Sequence, residues 1–369
     1  SLFSRLSEFG MRYAVYTQSG DTIECGEAAL PDIAPGERGF AQLPLTVRFR
    51  KGDILHLAAY SRHDGRDICE WSAPVHRART QENDIAASAR TGITDVRFSD
   101  NGMIESIHAD GKKYSLNGGP LPVGMLAECY RKATRRKPDG EIVNTFWYRG
   151  GIDSIQWRQT PDGRLHMDAV ILNDFRGHGL RDFITEEGKW QIGLSFRYPE
   201  SVFAQKGSGV TYLGDGPFRV WRNRLKGPRF GVWNKEYNNT VTGQYNSMDP
   251  PVYPEFKGYH ANVRWMQFPN FKVTSLTDGL YVRLYTPQEA VDRTPGEMGE
   301  GVEPSRKQES SMIPFPEGDI SFLLSIPPMR SYKPLEQLGP EAQPDNIRLK
   351  PGDDGFRISL IFEFGNQQP

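Results

Sequence analysis

The stretch FRISLIFEF (356–364) constrains the fold of this chain more than any other feature. Phe356, Ile358, Leu360, Phe362 and Phe364 occupy alternate positions, with Arg357, Ser359 and Glu363 among the residues between them. Successive side chains of a strand point to opposite faces, so a period of two places one face on a core and the other towards water. The pattern recurs. WQIGLSFRY (190–198) sets Trp190, Ile192, Leu194, Phe196 and Tyr198 against Gln191, Ser195 and Arg197, and RLHMDAVIL (164–172) aligns Leu165, Met167, Ala169 and Ile171. Strands of parallel sheets, covered on both faces, read as unbroken apolar runs, whereas alternation marks antiparallel sheets. SDNGM, HADGK and TPDGR fall between such segments as the turns of hairpins. Helical periodicity is scarce, and 38 glycines and 27 prolines suit a chain that turns often. The fold class is all-β.

At 369 residues, two domains are expected. Roughly the first 80 residues read as a small sandwich of about seven strands, with YAVYTQSGDTIECGEAAL, GFAQLPLTVRF and DILHLAAYSR separated by Pro- and Gly-bearing turns. The polar stretch HRARTQENDIAASAR (76–90) has no strand period and is the candidate link. Longer strands follow from Thr91, interrupted by two irregular regions. One is the ring- and cation-rich 214–243. The other is DRTPGEMGEGVEPSRKQESSMIPFPEG (292–318), whose length inside a compact domain marks a functional or disordered segment.

A net charge of −1 is at odds with a nucleic-acid binder, and no apolar run approaches the ~20 residues of a membrane helix. Cys25, Cys69 and Cys129 form no CxxC pair, so no zinc site is expected; a Cys25–Cys69 bridge within the first domain is one reading, and buried, unpaired thiols are the favoured one. No cofactor motif is present. The opening SLFSRLSEFG is not a signal peptide and has no initiator Met, as expected of a mature product or a piece of something longer.

GDGPFRVWRNRLKGPRFGVWNKEYNNTVTG (214–243) holds four arginines, two lysines and two tryptophans with almost no alternation. Sugars present apolar C–H patches to aromatic rings and hydroxyls to polar groups at the rim. Phe218, Trp221, Phe230 and Trp233 are the candidate rings, and Arg219, Arg222, Asn223, Arg224, Lys235 and Asn238 the candidate polar partners. The competing reading is that the rings staple an irregular loop to a sheet while the cations cover it, their stems over apolar surface. Either way the segment suits an interface, with sugar or with a partner domain.

Several landmarks occur together and in order. RLSEFGMRYAVY and GEAALPDIAPGERGFAQLPL come first. VRFSDNGMIESIHADGKKYSLNGGPLPVGM and VTYLGDGPFRVWRNRLKG follow, and YPEFKGYHANVRWMQF and GDISFLLSIPP come last. This series, which runs over essentially the whole chain, resembles the C-terminal half of family 2 glycoside hydrolases of the β-galactosidase type. The resemblance implies an immunoglobulin-like β-sandwich over 1–78, a linker over 79–91, and over 92–369 a large antiparallel supersandwich similar to galactose mutarotases. It implies a non-catalytic region that lines a sugar pocket, binds a galactoside-like carbohydrate beside a catalytic barrel domain or subunit, and supports assembly into homo-oligomers. The two catalytic glutamates belong to that barrel. A (β/α)8 barrel needs about 250 residues of alternating strands and helices, which no part of this sequence shows. The family's tryptophan near the C-terminus has no counterpart in LEQLGPEAQPDNIRLKPGDDGF, so another ring takes that role or the sugar differs. Alternatives are a free-standing carbohydrate-binding module or partner subunit, and a mutarotase-like epimerase or lyase.

The last alternative needs a histidine acid and a carboxylate base at the two ends of a sugar ring. It singles out His260 or His178 with Glu255 or Glu363, against the reading of a structural histidine in a strand-rich chain. LNDFRGHGLRDFITEEGKW (172–190) carries Asp174, His178, Asp182, Glu186 and Glu187 without a metal-ligand spacing, and reads as a solvated turn. RKATRRKPDGE (131–141) reads as an exposed, charged loop.

Overall fold

A computed structural model describes residues 3–18, 20–50, 52–75, 93–171, 184–185, 188, 190–205, 207–237, 256–286, 315–328, 337, 339 and 356–365. Among them are twenty strands in three antiparallel sheets. No described helix is long and apolar enough to cross a membrane.

The first sheet contains β1 (Phe9–Tyr16), β2 (Thr22–Ala28), β3 (Ile54–Ser61) and β4 (Asp67–Pro74) in the order β2-β1-β3-β4. These are four ladder strands rather than about seven, because 29–50 forms no ladder. Within that segment Leu43, Leu45, Val47 and Phe49 are half-buried and alternate with exposed neighbours, as a strand would. It is tied to the sheet by Glu24, whose carboxylate accepts from the Thr46 and Val47 amides (3.1 and 2.9 Å). Cys25 and Cys69 lie on the outer strands β2 and β4, which leaves both thiols exposed rather than buried; Cys129 is half-buried, and no two of the three are bonded.

The remaining strands are β5 (Ile93–Phe98), β6 (Ile104–Ala109), β7 (Lys112–Tyr114), β8 (Asn117–Val123), β9 (Ala127–Arg136), β10 (Ile142–Gly150), β11 (Ile152–Gln159), β12 (Leu165–Ile171), β13 (Ile192–Arg197), β14 (Gly209–Gly216), β15 (Arg229–Glu236), β16 (Gly258–Gln267), β17 (Phe271–Ser275), β18 (Tyr281–Leu284), β19 (Ile320–Ser325) and β20 (Phe356–Phe364). Strands β5–β7 make a three-stranded sheet. Thirteen others run β8-β13-β19-β18-β16-β17-β20-β12-β11-β10-β9, with β14 on β16 and β15 on β14.

Turn chemistry fixes the hairpins. Asp110 and Gly111 both have positive φ (50° and 72°), as a two-residue type I′ turn requires, in HADGK. Gly102 and Gly163 do the same work in SDNGM and TPDGR (φ 81° and 85°). RKATRRKPDGE is exposed as expected except at half-buried Lys137 and buried Glu141, but Arg131–Arg136 belong to β9, the edge of the large sheet, and a turn follows. Arg131 stacks its guanidinium 4.5 Å from the Trp147 ring centre on the neighbouring strand.

The alternating faces sit where the period places them. Leu165, Met167, Ala169 and Ile171, and Ile358, Leu360, Phe362 and Phe364, are buried in one large core together with Trp157, Phe196 and Phe322. Several partners on the opposite face are also buried. Ser195 (0% exposed) donates to the Glu317 carbonyl at 2.6 Å, and Glu363 is 2% exposed beside its cross-strand neighbour Lys272. A second layer therefore covers parts of the outer face.

One strand turns the corner between the two halves of the large sheet. Residues 258–260 of β16 pair with β18, and residues 265–267 pair with β17. Between them Asn262 adopts a left-handed conformation (φ 51°), a short polar residue tolerated there better than most.

The first sheet docks on β15. Ser72 Oγ accepts from the Val232 amide (3.2 Å) and lies 2.8 Å from His56 Nδ1. A Cβ on Gly231 would fall 2.0 Å from Ser72 Cβ, so only glycine permits this approach. Ile54, Leu213, Val232 and Trp265 close the seam as a small apolar cluster.

Candidate functional site

The cation- and ring-rich stretch divides in two. Residues 217–228 are an irregular loop after β14, and Arg229–Glu236 form β15, a regular strand where none was expected. The alternation is hidden because β15 is covered on both sides: Val232 packs in the seam cluster and Trp233 in the main core.

The loop is pinned from below by the Val220 amide, which donates to the Tyr259 carbonyl (2.8 Å), and the Arg222 amide, which donates to the Pro327 carbonyl (3.1 Å); within the loop the Arg224 amide closes a turn on the Trp221 carbonyl (2.7 Å). Trp221 is 3% exposed and stands edge-on to Tyr259 and Phe315, with centroids 5.3 and 5.9 Å away. Arg222 lies 5.3 Å from the Trp190 ring centre, and burial holds its guanidinium below the usual range while Tyr281 acts the other way. Arg219 is half-buried with its aliphatic stem against Gly258. Phe218 (53% exposed), Asn223 and Arg224 face outward.

Of the predicted residues on β15, Trp233 and Lys235 lie inside. Trp233 is buried, and its indole N–H donates to the Gly214 and Arg229 carbonyls, both at 3.2 Å. Lys235 is buried on the same strand, and Asn238 falls outside the described residues. His260 is fully buried, edge-on to Tyr212 at 5.2 Å, with Nε2 3.1 Å from the Phe256 carbonyl. A carbonyl only accepts, so Nε2 carries the hydrogen. Burial drives the pKa of His260 down to about 3, and the nearby Lys235 and Arg219 add to the effect. The ring is a neutral structural donor at pH 7. Its proposed partner Glu363 faces Lys272 across the strands, and His178 and Glu255 lie outside the described residues, as does most of the acidic stretch from Asp174 to Glu187. No described group of three or more His, Cys, Asp or Glu residues is placed to hold a metal.

A cleft of about 610 Å³ lies beside the seam between the first sheet and the β14–β16 strands. Gln18 and Ile54 line one wall; Asp215, Arg229, Phe230, Asn262 and Arg264 line the other. The Asn262 amide donates to Asp215 Oδ1 at 3.4 Å, and Arg264 is ion-paired with Asp278. Phe230 is the one predicted ring that reaches this cleft. Gln18 comes from a turn, and Ile54, Asp215, Arg229, Asn262 and Arg264 come from four separate strands. Asn262 and Arg264 fill the polar positions between Ala261, Val263 and Trp265, so HANVRWMQF reads as an ordinary one-sided strand and gives no sign of a cleft.

No protein-family model matches the sequence, and no curated protein is significantly similar to it.

Proposed function

We propose that this chain is a non-catalytic region of a family 2 glycoside hydrolase of the β-galactosidase type. On this reading it braces and lines a sugar site whose reactive carboxylates are supplied by a separate barrel, and it supports assembly. The ordered series of landmarks from RLSEFGMRYAVY to GDISFLLSIPP suggests the family, and the all-β architecture suits it. The observation that carries the reading is the 217–228 loop. It is anchored by Trp221 and by two backbone hydrogen bonds, to Tyr259 and Pro327, while Phe218, Asn223 and Arg224 are held outward, an arrangement that presents recognition groups on a rigid support. A mutarotase-like role for His260 gains no support from its setting, since a fully buried neutral imidazole bonded to a backbone carbonyl cannot exchange a proton with a sugar.

The test is reconstitution. A family 2 barrel carrying both glutamates is assayed on an aryl-galactoside alone, with this chain, and with an N223A/R224A variant. Expected are no turnover by the chain alone, a gain of about tenfold or more when it joins the barrel, and loss of most of that gain in the variant. Turnover by the chain unaided, or no effect on the barrel, overturns the reading.

A further inference from the structure

We propose that the seam cleft, which the 217–228 loop reaches only through its last residue Pro228, is a binding site for a neutral saccharide distinct from the outward groups Phe218, Asn223 and Arg224. This inference does not rest on the family reading.

Its volume of about 610 Å³ falls in the range of small-molecule sites, roughly 300–1,000 Å³. Its walls are fixed before any ligand arrives. Ser72 bridges to the Val232 backbone, Gly231 allows the two sheets to touch, and the Trp265 ring lies so close to Gly20 that an added Cβ would come within 2.7 Å. A site built on such a seam does not lose affinity to the ordering of its own walls.

The chemistry of the walls selects the ligand class. Asp215, Asn262, Arg229 and Arg264 are planar forked groups, two offering paired donors, one paired acceptors and one both. Adjacent hydroxyls of a sugar ring match such forks, each hydroxyl both donating and accepting. Charge argues against a polyanion. The cations Arg229 and Arg264 are balanced by Asp215 in the wall and Asp278 on Arg264, so the set is neutral overall. Phe230, half-buried, supplies a ring for the C–H face. Arg229 is exposed and forms no ion pair among the described residues, so it is available to a ligand.

The experiment is binding of lactose, cellobiose and xylobiose to the whole chain by calorimetry and saturation-transfer NMR, with inorganic phosphate as the anionic probe. Expected is millimolar or tighter binding of at least one disaccharide, weakened about tenfold or more by Arg229→Met and by Asp215→Asn. Arg135→Met, on the distant edge strand, leaves it unchanged. The Arg229 side chain is exposed and forms no ion pair among the described residues, so R229M remains informative if D215N fails to fold. Absence of binding by all three sugars, binding that survives R229M unchanged, or phosphate binding tighter than any sugar overturns the proposal. No barrel is present in this experiment, so its failure and that of the reconstitution are distinct.

Discussion

Replacing His260 by glutamine tests whether the imidazole is a buried neutral group. In the fold its pKa lies near 3, against an ordinary value of 6.5. Above pH 6.5 neither state binds the proton and the full stability is present. As pH falls below 6.5 the unfolded chain takes up the proton while the folded chain does not, so stability declines until the folded pKa is reached. Between pH 7.5 and 5 this one group removes about 2 kcal/mol, and over the whole window down to pH 3 on the order of 5 kcal/mol. Glutamine does not titrate, and its amide N–H can replace the donor to Phe256. The variant therefore starts about 1–2 kcal/mol less stable at pH 7.5, from imperfect packing, and draws level by pH 5. The assay is urea unfolding of both proteins at matched pH values. His56, whose pKa burial also lowers, is present in both and cancels. Parallel stability curves would show that His260 takes up its proton equally in both states and would refute the reasoning.

The seam and β15 give two more predictions. Gly231→Ala places a methyl group 2.0 Å from Ser72 Cβ, so the docked sheets must part, and a loss of about 1–3 kcal/mol is expected by thermal or chemical unfolding. An unchanged melting temperature would mean that the sheets are not held at this contact. Trp233→Phe keeps the ring in the core but strips the Gly214 and Arg229 carbonyls of their indole donor, with an expected loss of about 1–3 kcal/mol and a native fold by circular dichroism.

What the sequence revealed depended on how many neighbours a strand has. At β12, Leu165, Met167, Ala169 and Ile171 announced their inward face. At β20 the period named Phe356 to Phe364 correctly, yet Ile361 and Glu363 are buried as well, because a second layer lies over the outer face. At β15 the same two-sided burial removed the signal: Gly231, Val232 and Trp233 are consecutive and all inside, and the strand read as loop. Local turn chemistry was legible at Asp110–Gly111 because it depends on two adjacent residues. The cleft was not, because Asp215 and Arg264 meet through the β14–β16 pairing and Ile54 joins them only where the first sheet docks, and all three are far apart in the chain.

Strand β9 closes one margin of the large sheet with ten residues, nearly all exposed, among them Arg131, Lys132, Arg135 and Arg136. A second molecule approaching that margin to continue the ladder would bring its own guanidinium row against this one, and like charge keeps the two apart. The repulsion is screened over about 10 Å at 0.1 M salt, so ionic strength governs whether two molecules can zip together there. Dilute buffer guards this flank, and concentrated brine exposes it.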